Sequence, residues 1–336
     1  MAPESILLVV VFAALTVYAL FGGADFGAGV WEVNTALQAS PKERKLLYSA
    51  IGPVWEANHV WLIFVLVVTF GAFPMAFAAI CQALWLPLLL ALGGIVFRGA
   101  GYAFRSNSSD DRRQQFAWDV VFAVGSTAAP FFLGASIGAL ASGKLMLTDD
   151  GRFDGNFLTG WLSPMAVYSG FFVVVMCAYL AAVFLAREAS NLANEELTRI
   201  WRQRAIATGI WMGLLSLAGV VYVASDAPEL WDGFRRRSWP LVAFAIIAGF
   251  LSLHSLIREQ FRIAVVAAAA AVTAVIWGWA VAQYPLLVPP SITVEDAKAP
   301  ANILWLLIAT IALGSLLLVP ALGYLFYLFK SGSRER

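Results

Sequence analysis

Long apolar runs, each about the length of a membrane-crossing helix, recur along the whole chain. A helix needs about 20 mostly apolar residues to cross a hydrocarbon core of roughly 30 Å. That rule marks nine spans, at 5–30, 51–71, 76–98, 117–141, 161–186, 204–225, 239–257, 262–283 and 301–329. Only Gly71 to Met75, with Pro74, separates the second from the third, which predicts a tight helical hairpin. Pro130 in the fourth span, Pro164 in the fifth and Pro320 in the last predict kinks or weak points. Asp149, Asp150, Gly151, Asp154 and Gly155 predict an exposed loop at 142–160. The loop divides the chain into 1–141, with four spans, and 161–336, with five. The fold class is therefore an all-α integral membrane protein.

Composition supports this pattern. Of the 336 residues 61% are hydrophobic, above the roughly 45–50% of soluble domains, and mean hydropathy is +0.78. The 22 Lys and Arg against 21 Asp and Glu leave no basic field for nucleic acid. Cys81 and Cys177 both fall in apolar runs, where a thiol acts as a small hydrophobe. The first run reads as a retained span, since residues 1–5 carry no Lys or Arg and the run exceeds a signal peptide's apolar core.

Orientation follows from the 22 cations. Lys144, Arg152, Arg235, Arg236, Arg237 and Lys298 lie on one side of the predicted spans and the other sixteen on the opposite side. Positively charged loops stay in the cytoplasm. The N-terminus is expected outside and the C-terminus inside.

Charge inside a membrane helix is costly, so each such residue is a candidate site. Asp25 lies near the inner end of the first span and Glu56 near the inner start of the second; Arg98 closes the third and Asp119 opens the fourth. Two readings stay open. The acids can be counter-charges of Arg98 and Arg105, or they can relay protons inward from the cytoplasm. Trp55 to Trp61 is the densest polar run in any span, and Asn58 and His59 join Glu56 there, with Glu56 and His59 on one face. A Glu-x-x-His pair also fits a di-iron carboxylate site, but that needs a second such pair. The only other histidine is His254, in Ser252-Leu253-His254-Ser255. The plain reading of His59 is a hydrogen bond to a neighbour such as Glu56. Trp31, Trp118, Trp161, Trp201 and Trp239 fall near span ends and read as interfacial anchors. The run Gly22 to Gly29 reads as a close helix contact.

Several of these residues together resemble subunit II of cytochrome bd-type quinol oxidases. Gly23-Ala24-Asp25-Phe26-Gly27-Ala28-Gly29 is similar to the family's Gly-Phe-Asp-Leu-Gly run, and Ile51 to Leu62, with Pro53-Val54-Trp55-Glu56-Ala57-Asn58, to its Pro-Val-Trp-Asp-Gly-Asn run. Ala72-Phe73-Pro74, Arg98-Gly99, Phe104-Arg105 and Trp118-Asp119 follow in order, with looser matches at Leu162-Ser163-Pro164 and Phe184-Leu185-Ala186. Ala24 replaces the usual Phe, Glu56 an Asp and Ala57 a Gly. His59 stands where an acid or amide is commoner, and Ala103 where many members have Glu.

The resemblance implies two four-helix bundles plus one peripheral helix, in a bacterial or archaeal cytoplasmic membrane. It implies a partner, subunit I, that carries haem b, haem d and the quinol site, while this chain binds no haem and no metal and holds no catalytic residue. A small single-helix accessory subunit and a structural quinone or lipid also fit it. The complex would reduce oxygen to water with protons drawn from the cytoplasm. Two other functions stay open: a secondary transporter using the intramembrane carboxylates, and a membrane assembly scaffold. The topology has a direct test. A reporter fused after Arg336 is expected in the cytoplasm and one within 142–160 outside; a periplasmic C-terminal reporter would mean the span count is wrong by an odd number.

Overall fold

The computed structural model describes residues 2–38, 41–51, 55–107, 112–148, 152–156, 158 and 160–332. Nearly all of them are helical: α1 (Pro3–Gln38), α2 (Pro41–Ile51), α3 (Trp55–Ala72), α4 (Pro74–Ala83), α5 (Trp85–Asn107), α6 (Arg112–Ala141), α7 (Pro164–Asn191), α8 (Glu195–Asp226) and α9 (Pro228–Gly233). A five-residue π-helical turn, Phe234–Ser238, leads into α10 (Trp239–Ile257) and then α11 (Phe261–Gln283). A two-stranded hairpin follows, β1 (Leu286–Val288) and β2 (Ile292–Thr293), then α12 (Val294–Ala297) and α13 (Ala301–Gly332).

Among the described residues, eight helices are long and apolar enough to cross a membrane: α1, α5, α6, α7, α8, α10 with its lead-in, α11 and α13. The expected second span is the shorter α3, whose described apolar part is Asn58–Ala72. Many large apolar side chains point outward, such as Leu217 and Val221 on α8, Ile247 and Phe250 on α10, and Leu316 and Leu317 on α13. In water this would be a large exposed apolar surface; in lipid it is solvated.

Two sequence expectations need correction. The third span, 76–98, is not one helix; it breaks at Leu84 into α4 and α5. Pro87 explains the break, because its ring lacks an N–H and would clash with the Ala83 carbonyl four residues earlier. In the first turn of α5 the missing N–H costs nothing. The second and third spans do meet at a tight turn, with only Phe73 between α3 and α4 and the Phe70 and Phe77 rings in contact; beyond the break α5 packs on α6, while α3 also packs on α1 and α13. Pro164 kinks nothing, because it occupies the first turn of α7, behind a Ser163 hydroxyl that accepts from the Ala166 N–H at 3.1 Å.

At the opposite end α7 and α10 stop in the same turn. The Asn194 N–H reaches the Ala189 carbonyl and the Ala193 N–H the Ser190 carbonyl, while Gln260 and Glu259 repeat the pattern on Ser255 and Leu256. This double closure requires one left-handed residue, here Ala193 (φ 50°) and Glu259 (φ 59°). Arg202 of α8 then donates to the Leu256 and Ile257 carbonyls at 2.8 and 2.7 Å and pairs with Glu259 at 3.0 Å. Those carbonyls would otherwise be orphans of the α10 terminus. At the far end Thr293 and Asp296 cap α12 reciprocally, and the Thr293 hydroxyl and N–H hold the Asp296 carboxyl below the usual carboxylate range.

The core is continuous across the 142–160 segment, parts of which (149–151, 157, 159) lie outside the described residues. α7 lies against both α1 and α6, and one apolar cluster runs from Ala28 of α1 through Leu180 of α7 to Trp201 of α8 and Val265 of α11. Among the described residues α13 lies mainly against α1 and α3, through residues such as Leu304 and Leu307, and much of its apolar surface faces outward. Close approach is set by glycines. A β-carbon on Gly27 would overlap the Cys177 carbonyl of α7, and one on Gly94 would lie 2.7 Å from the Ala129 nitrogen of α6. Gly93, on the other face of α5, meets nothing within 4 Å. Gly94→Ala is therefore expected to cost about 1–3 kcal/mol, whereas Gly93→Ala should be neutral or stabilising by up to about 1 kcal/mol. Thermal unfolding of the two variants in detergent checks this, and equal effects would refute the contact.

Candidate functional site

The polar residues of the first spans gather at the end of the bundle that carries α2. Asp25 on α1 and Arg98 on α5 form a buried ion pair, Oδ1 to guanidinium nitrogen, at 2.6 Å. The Arg98 guanidinium also lies 5.2 Å from the ring centres of both Phe26 and Phe122, within reach of their negative faces. One heptad further along both helices Arg105 of α5 faces Glu32 of α1 at 3.7 Å. The same Arg105 binds Asp119 of α6 at 2.7 Å, and Arg44 of α2 approaches Asp119 at 3.7 Å. Asp25, Glu32, Arg98 and Asp119 are all at most 6% exposed.

The arrangement is a ladder, and helix geometry explains it. Seven residues make nearly two turns, so positions 25 and 32 share one face of α1 and positions 98 and 105 one face of α5. Matching pairs in the same order mean that α1 and α5 run parallel, with rungs about 10 Å apart. Gly29, between the acids on α1, leaves room for the Ser126 side chain of α6, which a β-carbon there would overlap.

A second ionic contact closes the same end. Glu43 of α2 pairs with Arg204 of α8 at 3.4 Å, and the Arg204 guanidinium sits 4.6 Å from the Trp201 ring centre and 5.4 Å from that of Trp31. Trp31 also donates to the Ala178 carbonyl at 2.9 Å. The expectation of interfacial anchors fails for Trp201, which is fully buried, and for Trp161, which is 7% exposed; it fits Trp239, which is 62% exposed. A cation held between two indoles needs them inside.

Asn58 of α3 is buried and faces the Asp25 carboxylate. His59 departs from its expected hydrogen bond. Its ring lies beside Tyr18 and Phe26, at centroid separations of 6.2 and 5.9 Å, and neither ring nitrogen has a hydrogen-bond partner. The Glu56 side chain lies outside the described residues. His254 is exposed in the last turn of α10, away from these groups on the sequence-separated second half. Among the described residues no three His, Cys, Asp or Glu side chains gather as a metal site. Sequence reasoning passed over Glu32, Glu43, Arg44 and Arg204. Glu32 was legible, since it repeats the Asp25 face after seven residues as Arg105 repeats that of Arg98.

A family model described as Cytochrome bd terminal oxidase subunit II matches residues 3–329. The chain belongs to that family. As a subunit II with eight long apolar helices among its described residues, it is a multi-pass membrane protein. It is 28% identical over 226 residues to the Bacillus subtilis cytochrome bd ubiquinol oxidase subunit 2, covering 67% of this chain and 63% of that one. To the Escherichia coli K12 cytochrome bd-I ubiquinol oxidase subunit 2 it is 28% identical over 206 residues, covering 60% and 52%. The chain thus spans about half to two thirds of the length of these two relatives. A putative cytochrome bd menaquinol oxidase subunit II of Bacillus subtilis matches at 24% identity over 334 residues, 97% of this chain and 95% of that one. In fold, the chain is similar to the bd oxidase of Geobacillus thermodenitrificans, with a TM-score of 0.77, 21% identity and coverage of 98% and 99%.

Within this subunit II the ladder makes an energetic prediction. Removing one partner of a buried pair leaves an uncompensated charge, which costs about 3–5 kcal/mol, whereas replacing both is often tolerated. Arg98→Met should lower the thermal stability of the purified complex strongly, and the double variant Asp25→Asn with Arg98→Met should recover much of the loss. Equal loss in the single and double variants would show that the pair is not what holds α1 to α5.

Proposed function

We propose that the chain is the haem-free subunit II of a cytochrome bd-type oxidase. It supports a haem-bearing subunit I in reducing oxygen to water, and its ladder end admits protons from the cytoplasm. The observation that carries the proton reading is the run of carboxylates Glu32, Asp119 and Asp25 from the α2 end of the bundle inward, each buried and each facing an arginine. Carboxylates in such a column exchange protons with water or with one another, and the arginines keep the column compatible with a membrane interior. Glu56 opens α3 at the same end and belongs to the proposed entry.

The haem-free part of the proposal rests on the ligand inventory. Haem iron takes an axial His, Met, Cys or Tyr. Of the two histidines, His59 is flanked by aromatic rings and His254 stands on the surface. Haem b and haem d belong, on this reading, to the partner, where they supply the redox chemistry. This chain's own residues hold the helices, exclude lipid from the polar end and carry protons. The positive loops support a cytoplasmic position for the ladder end. Family membership moves the reading away from a secondary transporter. A purely structural role for the acids has its own support, the 2.6 Å contact between Asp25 and Arg98.

Amide substitutions separate the two roles. Asp25→Asn and Glu56→Gln keep size and hydrogen bonding but cannot carry a proton. Oxygen consumption of the assembled complex is expected to fall at least about tenfold for each, and much less for Glu56→Asp. Haem content measured alongside reports assembly. Full activity of both amide variants at normal haem content would leave the acids as counter-charges and end the proton reading.

A further inference from the structure

The end of the bundle opposite the ladder carries cations where few are expected. Six of the 22 Lys and Arg lie on that side of the predicted spans, and Arg235, Arg236 and Arg237 are three of them in a row. Loops on the outer side of a membrane are ordinarily poor in such residues, so three together need a reason. They occupy the π-helical turn between α9 and α10, and all three are exposed. The nearby acids leave part of this charge unanswered. Arg236 meets Asp232 at 2.8 Å, but both side chains are more than half exposed, where such a pair is worth little. Asp226 is taken by Lys144. Arg237 shares a small cleft with Glu229 and donates to the Ala282 carbonyl near the end of α11 at 2.7 Å. Arg235 makes no hydrogen bond or ion pair among the described residues.

Depth decides what these guanidinium groups meet. α10, Trp239–Ile257, has 19 residues, about 28 Å at roughly 1.5 Å per residue, which nearly equals the roughly 30 Å of hydrocarbon. Arg258 follows at its other end, so the span has little freedom to slide. The headgroup layer adds about 5–8 Å on each side. Arg235, Arg236 and Arg237 precede Trp239 within about one turn, roughly 3–6 Å beyond the hydrocarbon edge. That is the level of the lipid phosphates. Below them the same face is apolar: Arg235 comes about one turn before Trp239, and Ile246 and Phe250 continue the face of Trp239 two and three turns further on. Trp239, Ile246 and Phe250 are all exposed. The column therefore runs from guanidinium through an amphipathic indole to apolar surface, the order of phosphate, ester and acyl chain in a phospholipid.

Guanidinium groups bind phosphate oxygens through a planar fork. A free phosphate would use the charge but not the apolar column beneath it, and a zwitterionic lipid brings its own cation to the same place. We propose that Arg235, with Arg236 beside it, holds the phosphate of an anionic phospholipid whose chain lies along Trp239, Ile246 and Phe250. The site is independent of the proton reading and requires only that α10 crosses the membrane.

The test uses the whole purified oxidase complex, freed of loosely held lipid in detergent and titrated with phosphatidylglycerol while native mass spectrometry counts the lipids retained. The wild-type complex is expected to hold one lipid whose affinity falls about five- to tenfold in Arg235→Gln, and less in Arg235→Lys, which keeps the charge but not the fork. Phosphatidylcholine, with the same phosphate and a compensating ammonium, should fill the site less well, and inorganic phosphate should not displace the lipid. Equal retention by wild type and Arg235→Gln would overturn the proposal. So would release by inorganic phosphate, which would make the turn a site for free anions, or equal retention of the two lipids, which would remove the selection for negative charge. Haem content shows whether each variant is assembled. Where one is not, electron cryomicroscopy of the wild-type complex with phosphatidylglycerol decides: a well-resolved Arg235 with no lipid phosphate against its guanidinium would overturn the site.

Discussion

A guanidinium cannot remain inside a membrane without compensation, and the packing of the first helices follows from how Arg98 meets that constraint. Its charge is answered by Asp25 and its faces by Phe26 and Phe122, which α1 and α6 bring to it. The close approach needed for this is bought with side-chain volume: Gly94 and Gly29 leave the space that α6 fills. The electrostatic and steric features of this end are therefore one design, in which small residues bring the helices near enough for the long ones to pair.

α7 and α2 tie that end to the rest of the molecule. α7 lies against α1 and α6 and carries the apolar cluster into the second half. α2 lies across the ladder end and sends Arg44 to Asp119 and Glu43 to Arg204 of α8. A short amphipathic helix thereby couples the charged groups of the first half to Arg204 and the buried Trp201 in the second. On the proposed proton reading this coupling has a use, because a proton entry needs its polar end fixed to a rigid body.

Much of this was legible in the residues. The apolar runs located the spans because hydrocarbon thickness sets helix length, and Asp25, Arg98 and Asp119 stood out because charge there is costly. The break at Leu84 was missed because hydropathy averages over a window and does not feel Pro87, although the proline was in plain sight. Glu32 was missed because the first span was ended at residue 30, while α1 continues to Gln38. The burial of Trp201 could not be read from its own position; it depends on Arg204 and Glu43 meeting across two helices remote in sequence. His59 shows the same limit, since its surroundings come from Tyr18 and Phe26 on another helix.

The heptad spacing of the ladder also acts as a register lock. Were α5 displaced by seven residues along α1 in one direction, Arg98 would meet Glu32 and Asp25 would lose its cation. In the other direction Arg105 would meet Asp25, Arg98 would stand opposite the phenol of Tyr18, and Glu32 would be left alone. Apolar membrane helices slide past one another at little cost, because every apolar contact has a near-equivalent one turn away. A pair of rungs flanked on one side by a level that offers only Tyr18 and Ala91 removes that degeneracy, so the chain has one alignment of α1 and α5 in which every buried charge is answered.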